Sequence, residues 1–158
     1  MSKSEDHFKE ELELIKSRKI RDFVIDVHEN LASSYFWTAP ASSTGKYHPK
    51  WDNGENGLVR HVKVVSTYGY EFARSIPLTV KECSSKDISR QVYSDTIVAA
   101  CLLHDCENFG PNYDGTRKSL PKDNGKMHGI RMAKKIYEAK FKGKKVPFPY
   151  KCILRGIA

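Results

Sequence analysis

Apolar residues recur at helical spacing along most of this chain. Phe8, Leu12, Ile15, Phe23, Val27 and Leu31 are separated by threes, fours or their sums, which predicts one or two helices over 5–33. Ser4 reads as the N-cap, with acids in the first turn. The pattern then breaks over 38–57, where Gly45, Pro49, Gly54 and Gly57 make a helix untenable. A loop of that length in a compact domain is often functional. Leu58, Val62, Val65, Tyr68 and Phe72 resume the helical stripe, and Pro77 ends it. Ser94, followed by Asp95, reads as the cap of a nearly all-apolar segment, Thr96-Ile-Val-Ala-Ala-Cys-Leu-Leu-His-Asp-Cys106. Such a segment belongs at the centre of the fold. The run is short and Ile97-Val98 is β-branched, so a buried strand is the alternative; Ala99-Ala100 and Leu102-Leu103 favour a helix.

Residues 107–125 form a polar loop rich in Gly, Pro, Asn and Asp. A further helix is predicted from Asp123 or Asn124 to Phe141, with Met127, Ile130, Ala133, Ile136 and Tyr137 inward. After a Lys-Gly-Lys-Lys turn and two prolines, Tyr150 opens a last helical pattern that runs to Ala158. No alternating segment longer than a few residues competes, and no internal repeat is present. The expected class is all-α.

Composition narrows the picture. At 158 residues, 39% hydrophobic and 29% charged, the chain has the make-up of one ordinary globular domain, not of a disordered polymer. No apolar run approaches the roughly 20 residues that span a bilayer, so no membrane association is expected. The N-terminal residues lack the apolar segment of a secretory signal, and Cys83, Cys101, Cys106 and Cys152 read as reduced thiols; a cytoplasmic protein is expected. The net charge of +8 is unevenly spread. Residues 1–30 hold eight acids and six bases, whereas 117–155 hold thirteen bases and two acids, a surplus of eleven. That surplus attracts phosphate, on a nucleotide or on a nucleic-acid strand. A solvated lysine-rich helix face is the plainer alternative.

The residues best placed for chemistry are His104 and Asp105, at the end of the apolar segment. Burying a carboxylate and an imidazole there is costly without compensation. A divalent metal compensates, and this donor pair suits Mn, Fe, Co, Ni or Zn. The competing reading has His104 donating to a backbone carbonyl and Asp105 capping a neighbouring element. His61, beside Val62 of the preceding stripe, and His128, early on the next helix, shift the balance. Histidines and an aspartate from three helices are how helical proteins build a metal centre.

Gly57-Leu-Val-Arg-His61, then Ala-Ala-Cys-Leu-Leu-His104-Asp105, then His128-Gly resembles the HD-domain metal-dependent phosphohydrolases, over roughly residues 35–158. The segment Trp37-Thr-Ala-Pro-Ala-Ser-Ser-Thr-Gly-Lys-Tyr-His48-Pro is similar to the loop before the first metal histidine in phage-encoded members, which resemble enzymes acting on deoxynucleotides. The resemblance implies an HD-like helical bundle and one or two divalent ions (Mn, Co, Fe, Ni, Mg or Zn) on His61, His104, Asp105 and His128. Asp105 would bridge to a second ion. His104 and Asp105 would serve catalysis by holding the metal that activates water for attack on phosphorus. The implied substrate is a nucleotide, foremost a deoxynucleoside mono- or triphosphate. Lys46, Arg60, Lys63, Arg117 and Lys118 are candidates for neutralising phosphoryl oxygens, and Ser42, Ser43, Thr44, Tyr47 and His48 for contacting phosphate, sugar or base.

One element of the family's pattern is missing. A distal Asp is expected after His128, but only Glu138 and the terminal carboxylate follow, and neither fits. A single HD-like domain over 1–158, incomplete at its C-terminal end, is therefore expected. Two other readings stand beside the enzyme: a basic nucleic-acid-binding module using 117–155, and an HD-like scaffold that binds a nucleotide without cleaving it. Ser43-Thr44-Gly45-Lys46 is not a phosphate-binding P-loop, because Pro40 stands where its first Gly belongs and Tyr47 replaces Ser/Thr. Cys101 and Cys106 lack structural-zinc spacing and Cys101 reads as core; Tyr35-Phe36-Trp37 reads as core, and His7 and His28 as surface or interhelical residues.

Overall fold

The computed structural model describes residues 2–43, 45–46, 48–76, 89–122 and 127–158. Thr44, Tyr47, Pro77, Cys83, Asp123 and Asn124, named above, lie outside the described residues. The described chain is all-α. Its helices are α1 (Lys3–Leu14), α2 (Arg18–Leu31), α3 (Gly57–Ser75), α4 (Arg90–Leu103), α5 (His128–Lys140) and α6 (Phe148–Ile157), with short 3-10 turns at Ser34–Trp37, Lys50–Asp52 and Arg117–Ser119. None of the described helices is long and apolar enough to cross a membrane.

Two caps differ from those read off the sequence. Helix α1 starts at Lys3 under a Ser2–Glu5 capping box, in which Ser2 Oγ accepts from Glu5 N and Glu5 Oε2 accepts from Ser2 N. Ser4 is instead buried, with its hydroxyl 2.8 Å from His28 Nδ1. Helix α4 begins at Arg90 on Ser89, whose Oγ accepts from Val92 N. Ser94 and Asp95 therefore lie inside it. Propensity alone does not distinguish Ser2 from Ser4 or Ser89 from Ser94 as caps.

Asp95 has a task that its position in the sequence hides. Its carboxylate is 1% exposed and accepts the backbone N–H groups of Lys16 (3.0 Å) and Ser17 (2.8 Å), where α1 turns into α2. Gln91 Nε2 adds a third bond at 2.7 Å. Asp95→Ala orphans two backbone donors beside the core, at an expected cost of about 3 kcal/mol, read as a lower urea midpoint with unchanged m. An unchanged midpoint would show that the α1–α2 turn does not depend on this carboxylate.

The core is contiguous and centred on α4. Val98, Ala99, Leu102 and Leu103 of α4 pack among Phe8, Ile15, Val24, Val27, Phe36, Leu58, Val62, Met132, Ile136 and Ile153, all completely buried. Phe36 and Trp37 join this core, as expected.

Helix α3 turns a different face inward from the apolar stripe. Leu58, Val59, Val62, Ser66 and Ala73 are buried, whereas Tyr68 is 73% and Phe72 58% exposed and Val65 only half-buried. The reason is a close crossing: a Cβ at Gly69 would stand 2.7 Å from Cys101 Sγ of α4. Small residues let the helices approach, so the large ones rotate outward. Cys101 itself is half-buried.

Helix α5 behaves alike. Gly129, Met132 and Ile136 are buried and Ala133 half-buried, while Met127, Ile130 and Tyr137 are over 40% exposed. Helix α6 starts at Phe148, two residues before Tyr150, with Pro147 as its cap and a proline within the first turn, where the missing N–H costs nothing.

His28 is the buried interhelical contact of α2. Its Nε2 lies 3.0 Å from the Leu102 carbonyl, which only accepts, so Nε2 carries the proton and Nδ1 accepts from Ser4 Oγ. Phe8 and Phe36 stack on the ring. Burial pushes this histidine down to about 4 from its ordinary 6.5. The unfolded chain therefore takes up the proton first. The contribution of His28 to stability is complete above the ordinary value and is lost as pH falls toward about 4, by about 3 kcal/mol. Urea titrations at neutral pH and at pH near 4.5 are expected to show this loss, and His28→Leu to remove that share of it. An identical pH slope in the variant would contradict the assignment.

Candidate metal centre

Three helix ends deliver the polar cluster. His61 stands one turn into α3, His104 is the C-cap of α4, Asp105 follows in the turn, and His128 opens α5. Each position has a structural cause. Gly57 lets the start of α3 press against the preceding loop, since a Cβ there would lie 1.9 Å from the Asp52 carbonyl. Gly129 does the same for α5, where a Cβ would lie 2.0 Å from the Ile157 carbonyl of α6. The end of α4 is held by a neighbouring polar network. Glu107 is 2% exposed, is paired with Lys135 of α5, and accepts from Ser33 Oγ at 3.0 Å.

Asp105 lies at the middle, 4% exposed. Its Oδ2 is 3.3 Å from His104 Nε2 and 3.5 Å from His61 Nε2, and its Oδ1 is 3.0 Å from His128 Nε2. Ligand atoms of His61, His104 and Asp105 all fall within 4.8 Å of one another. The two carboxylate oxygens thus face different imidazoles. His104 Nδ1 is 2.7 Å from the Cys101 carbonyl, so Nδ1 carries a proton and Nε2 is the atom turned to Asp105. Donation to a carbonyl, the competing reading of this histidine, is therefore present, and it is also how ligand histidines are oriented.

The electrostatics follow from burial and crowding. Burial opposes charge on Asp105, but hydrogen bonds from His104 and His128, and their charge, outweigh it and hold the carboxyl far below the usual range. Burial pushes His104 down too, yet the bonds to Asp105 raise it on balance. His61 is lowered, chiefly by burial. Without a metal, the bonds to Asp105 favour the protonated form of His104. A cation compensates Asp105 with every imidazole neutral. Donors about 2.1 Å from an ion stand about 3.0–3.4 Å apart in octahedral or tetrahedral order. The N–O separations of His104 and His128, 3.3 and 3.0 Å, fall in that range, and that of His61, 3.5 Å, lies just above it.

No protein-family model, curated protein or solved structure matches this chain.

The other predicted site residues differ in exposure and in partners. His48 is half-buried and meets His61 edge-on, with ring centroids 4.6 Å apart. Arg60 spends its guanidinium on the loop: Nε and Nη2 donate to the Trp51 carbonyl and Nη1 to that of Glu55. It braces the 51–55 segment. Ser43 and Lys63 are half-buried, while Lys46, Arg117 and Lys118 are exposed, the last two on their 3-10 turn. Thr44 and Tyr47 lie outside the described residues.

Two groups escaped the sequence reading. Asp52 is buried beside His48 and His61, and Glu107 is buried behind Asp105. Glu107 follows an apolar helix by only a few residues, which was a usable signal. Asp52, in Lys-Trp-Asp-Asn-Gly, looks like any turn residue.

Proposed function

We propose that this chain is an HD-like metal-dependent phosphohydrolase acting on a nucleotide, foremost a deoxynucleoside mono- or triphosphate. The observation that carries this reading is the buried Asp105 carboxylate with three imidazole Nε2 atoms 3.0 to 3.5 Å from its oxygens. His61, His104, Asp105 and His128 would hold one or two divalent ions. A bound ion there supplies Lewis-acid polarisation of a phosphoryl oxygen and brings the pKa of water toward ~7.

The chain's own groups do the rest. The Cys101 carbonyl fixes the His104 tautomer, and the C-terminal end of α4 adds the negative dipole that favours a cation. Asp105, whose carboxyl is held far below its usual range, supplies the negative charge that draws a cation to the centre. Lys46, Arg117 and Lys118, exposed on the two long loops, are the candidates for meeting a phosphate tail.

The nucleic-acid reading loses ground on one observation. Lys134, Lys135 and Lys140, all in the basic C-terminal quarter, are paired with Glu138, Glu107 and Asp26. The test is a hydrolysis panel. Protein stripped with a chelator is expected to be inert, and Mn, Co or Mg to restore release of phosphate, pyrophosphate or triphosphate from a deoxynucleotide. No release from any nucleotide with any of these ions would refute the enzyme and leave a binding scaffold.

A further inference from the structure

The loop before α3 brings a second donor set to the other side of His61. Ligand atoms of His48, Asp52 and His61 lie within 4.8 Å of one another. The His48 and His61 rings meet at 85°. Asp52 is the member with an unsatisfied oxygen. Its side chain is 6% exposed, and its Oδ1 accepts no hydrogen bond from the described residues. Arg60 Nε is 3.8 Å from that oxygen, beyond hydrogen-bond range, and its N–H donates to the Trp51 carbonyl. Arg60 thus provides nearby positive charge without a bond to Oδ1.

The loop holds this carboxylate in place. Asp52 N donates to the Pro49 carbonyl at 2.9 Å, and the Asp52 carbonyl accepts from Ala41 N at 2.8 Å. The absent Cβ of Gly57 leaves room for that carbonyl against α3. A buried carboxylate oxygen in a fixed backbone, next to two imidazoles and without a hydrogen-bond donor among the described residues, is what an inner-sphere cation satisfies.

We propose that His48 and Asp52 hold an additional divalent cation beside the His61–His104–Asp105–His128 centre, with His61 between the two seats. Imidazole with carboxylate suits Mn, Co, Ni or Zn. One nitrogen lone pair serves one ion. With both seats filled, His48 and Asp52 are therefore the added ion's own protein ligands, and oxygen ligands complete its shell. That a substrate phosphate supplies one of those oxygens rests on the phosphohydrolase reading; the seat itself rests on His48 and Asp52.

The experiment is a titration of metal-free protein with Mn²⁺ alone, counting bound ions by the loss of the free-Mn²⁺ paramagnetic resonance signal. Asp52→Asn and His48→Ala are each expected to bind one ion fewer than the wild type, or to bind one ion at least ten-fold more weakly, with the remaining ions unchanged. His48 is in a loop and only half-buried, so its variant keeps the test valid if the Asp52 variant folds poorly. Both variants keeping the wild-type count and affinity would overturn the proposal, as would a wild type that takes up no Mn²⁺. The double variant His104→Ala with Asp105→Ala separates the two claims. If it retains every ion while Asp52→Asn loses one, the phosphohydrolase centre fails and this seat stands.

Discussion

Replacing His104 and Asp105 together by alanine is expected to remove the ion held at Asp105 and to cut nucleotide hydrolysis at least about 10³-fold, or about 4 kcal/mol of barrier. The two residues supply the carboxylate on which three imidazoles converge and the one imidazole whose tautomer a backbone carbonyl fixes. Removing both at once avoids leaving a buried Asp105 without its main partner, or a raised His104 without its counter-charge. Folding is therefore expected to survive, since deleting both halves of a buried polar pair is cheaper than deleting one. Circular dichroism and a urea titration check the fold, and elemental analysis with a phosphate-release assay checks the site. A folded double variant that keeps every ion and its rate would place the chemistry elsewhere.

Gly129→Ala is expected to destabilise the protein by about 3 kcal/mol, although alanine is the better helix former by about 1 kcal/mol. The added Cβ would lie 2.0 Å from the Ile157 carbonyl. That atom is backbone, so no side-chain rotation relieves the contact, and α5 must move away from the last turn of α6. His128 is the neighbouring residue and would leave its 3.0 Å approach to Asp105 Oδ1. The expected readout is a fall in melting temperature of about 10 °C together with weaker metal binding. A rise in melting temperature would mean that helix propensity dominates and that α6 does not position α5.

These expectations rest on features with different visibility in the sequence. The helices and the central place of α4 were legible, because an uninterrupted apolar run such as Val98 to Leu103 has few other destinations. The faces of α3 and α5 were not. Periodicity weighs Tyr68, Phe72, Ile130 and Tyr137 as core, but Gly69 and Gly129 permit approaches so close that the large side chains are turned to solvent. Asp95 was legible only as a helix-start acid; its actual partners, the N–H groups of Lys16 and Ser17, are far away in the chain. The histidines of the candidate centre stood out because His104-Asp105 ends an apolar helix, where charge is expensive. Asp52 did not, because its burial comes from loop packing against Gly57 that no local pattern encodes.

The most direct test of the central claim is a crystal soaked in Mn²⁺ and measured at the manganese absorption edge. The account predicts an anomalous peak about 2.1–2.3 Å from Nε2 of His61 and of His104 and from an oxygen of Asp105. Density that shows the His61, His104 and Asp105 side chains ordered, with no anomalous peak among them, would contradict it.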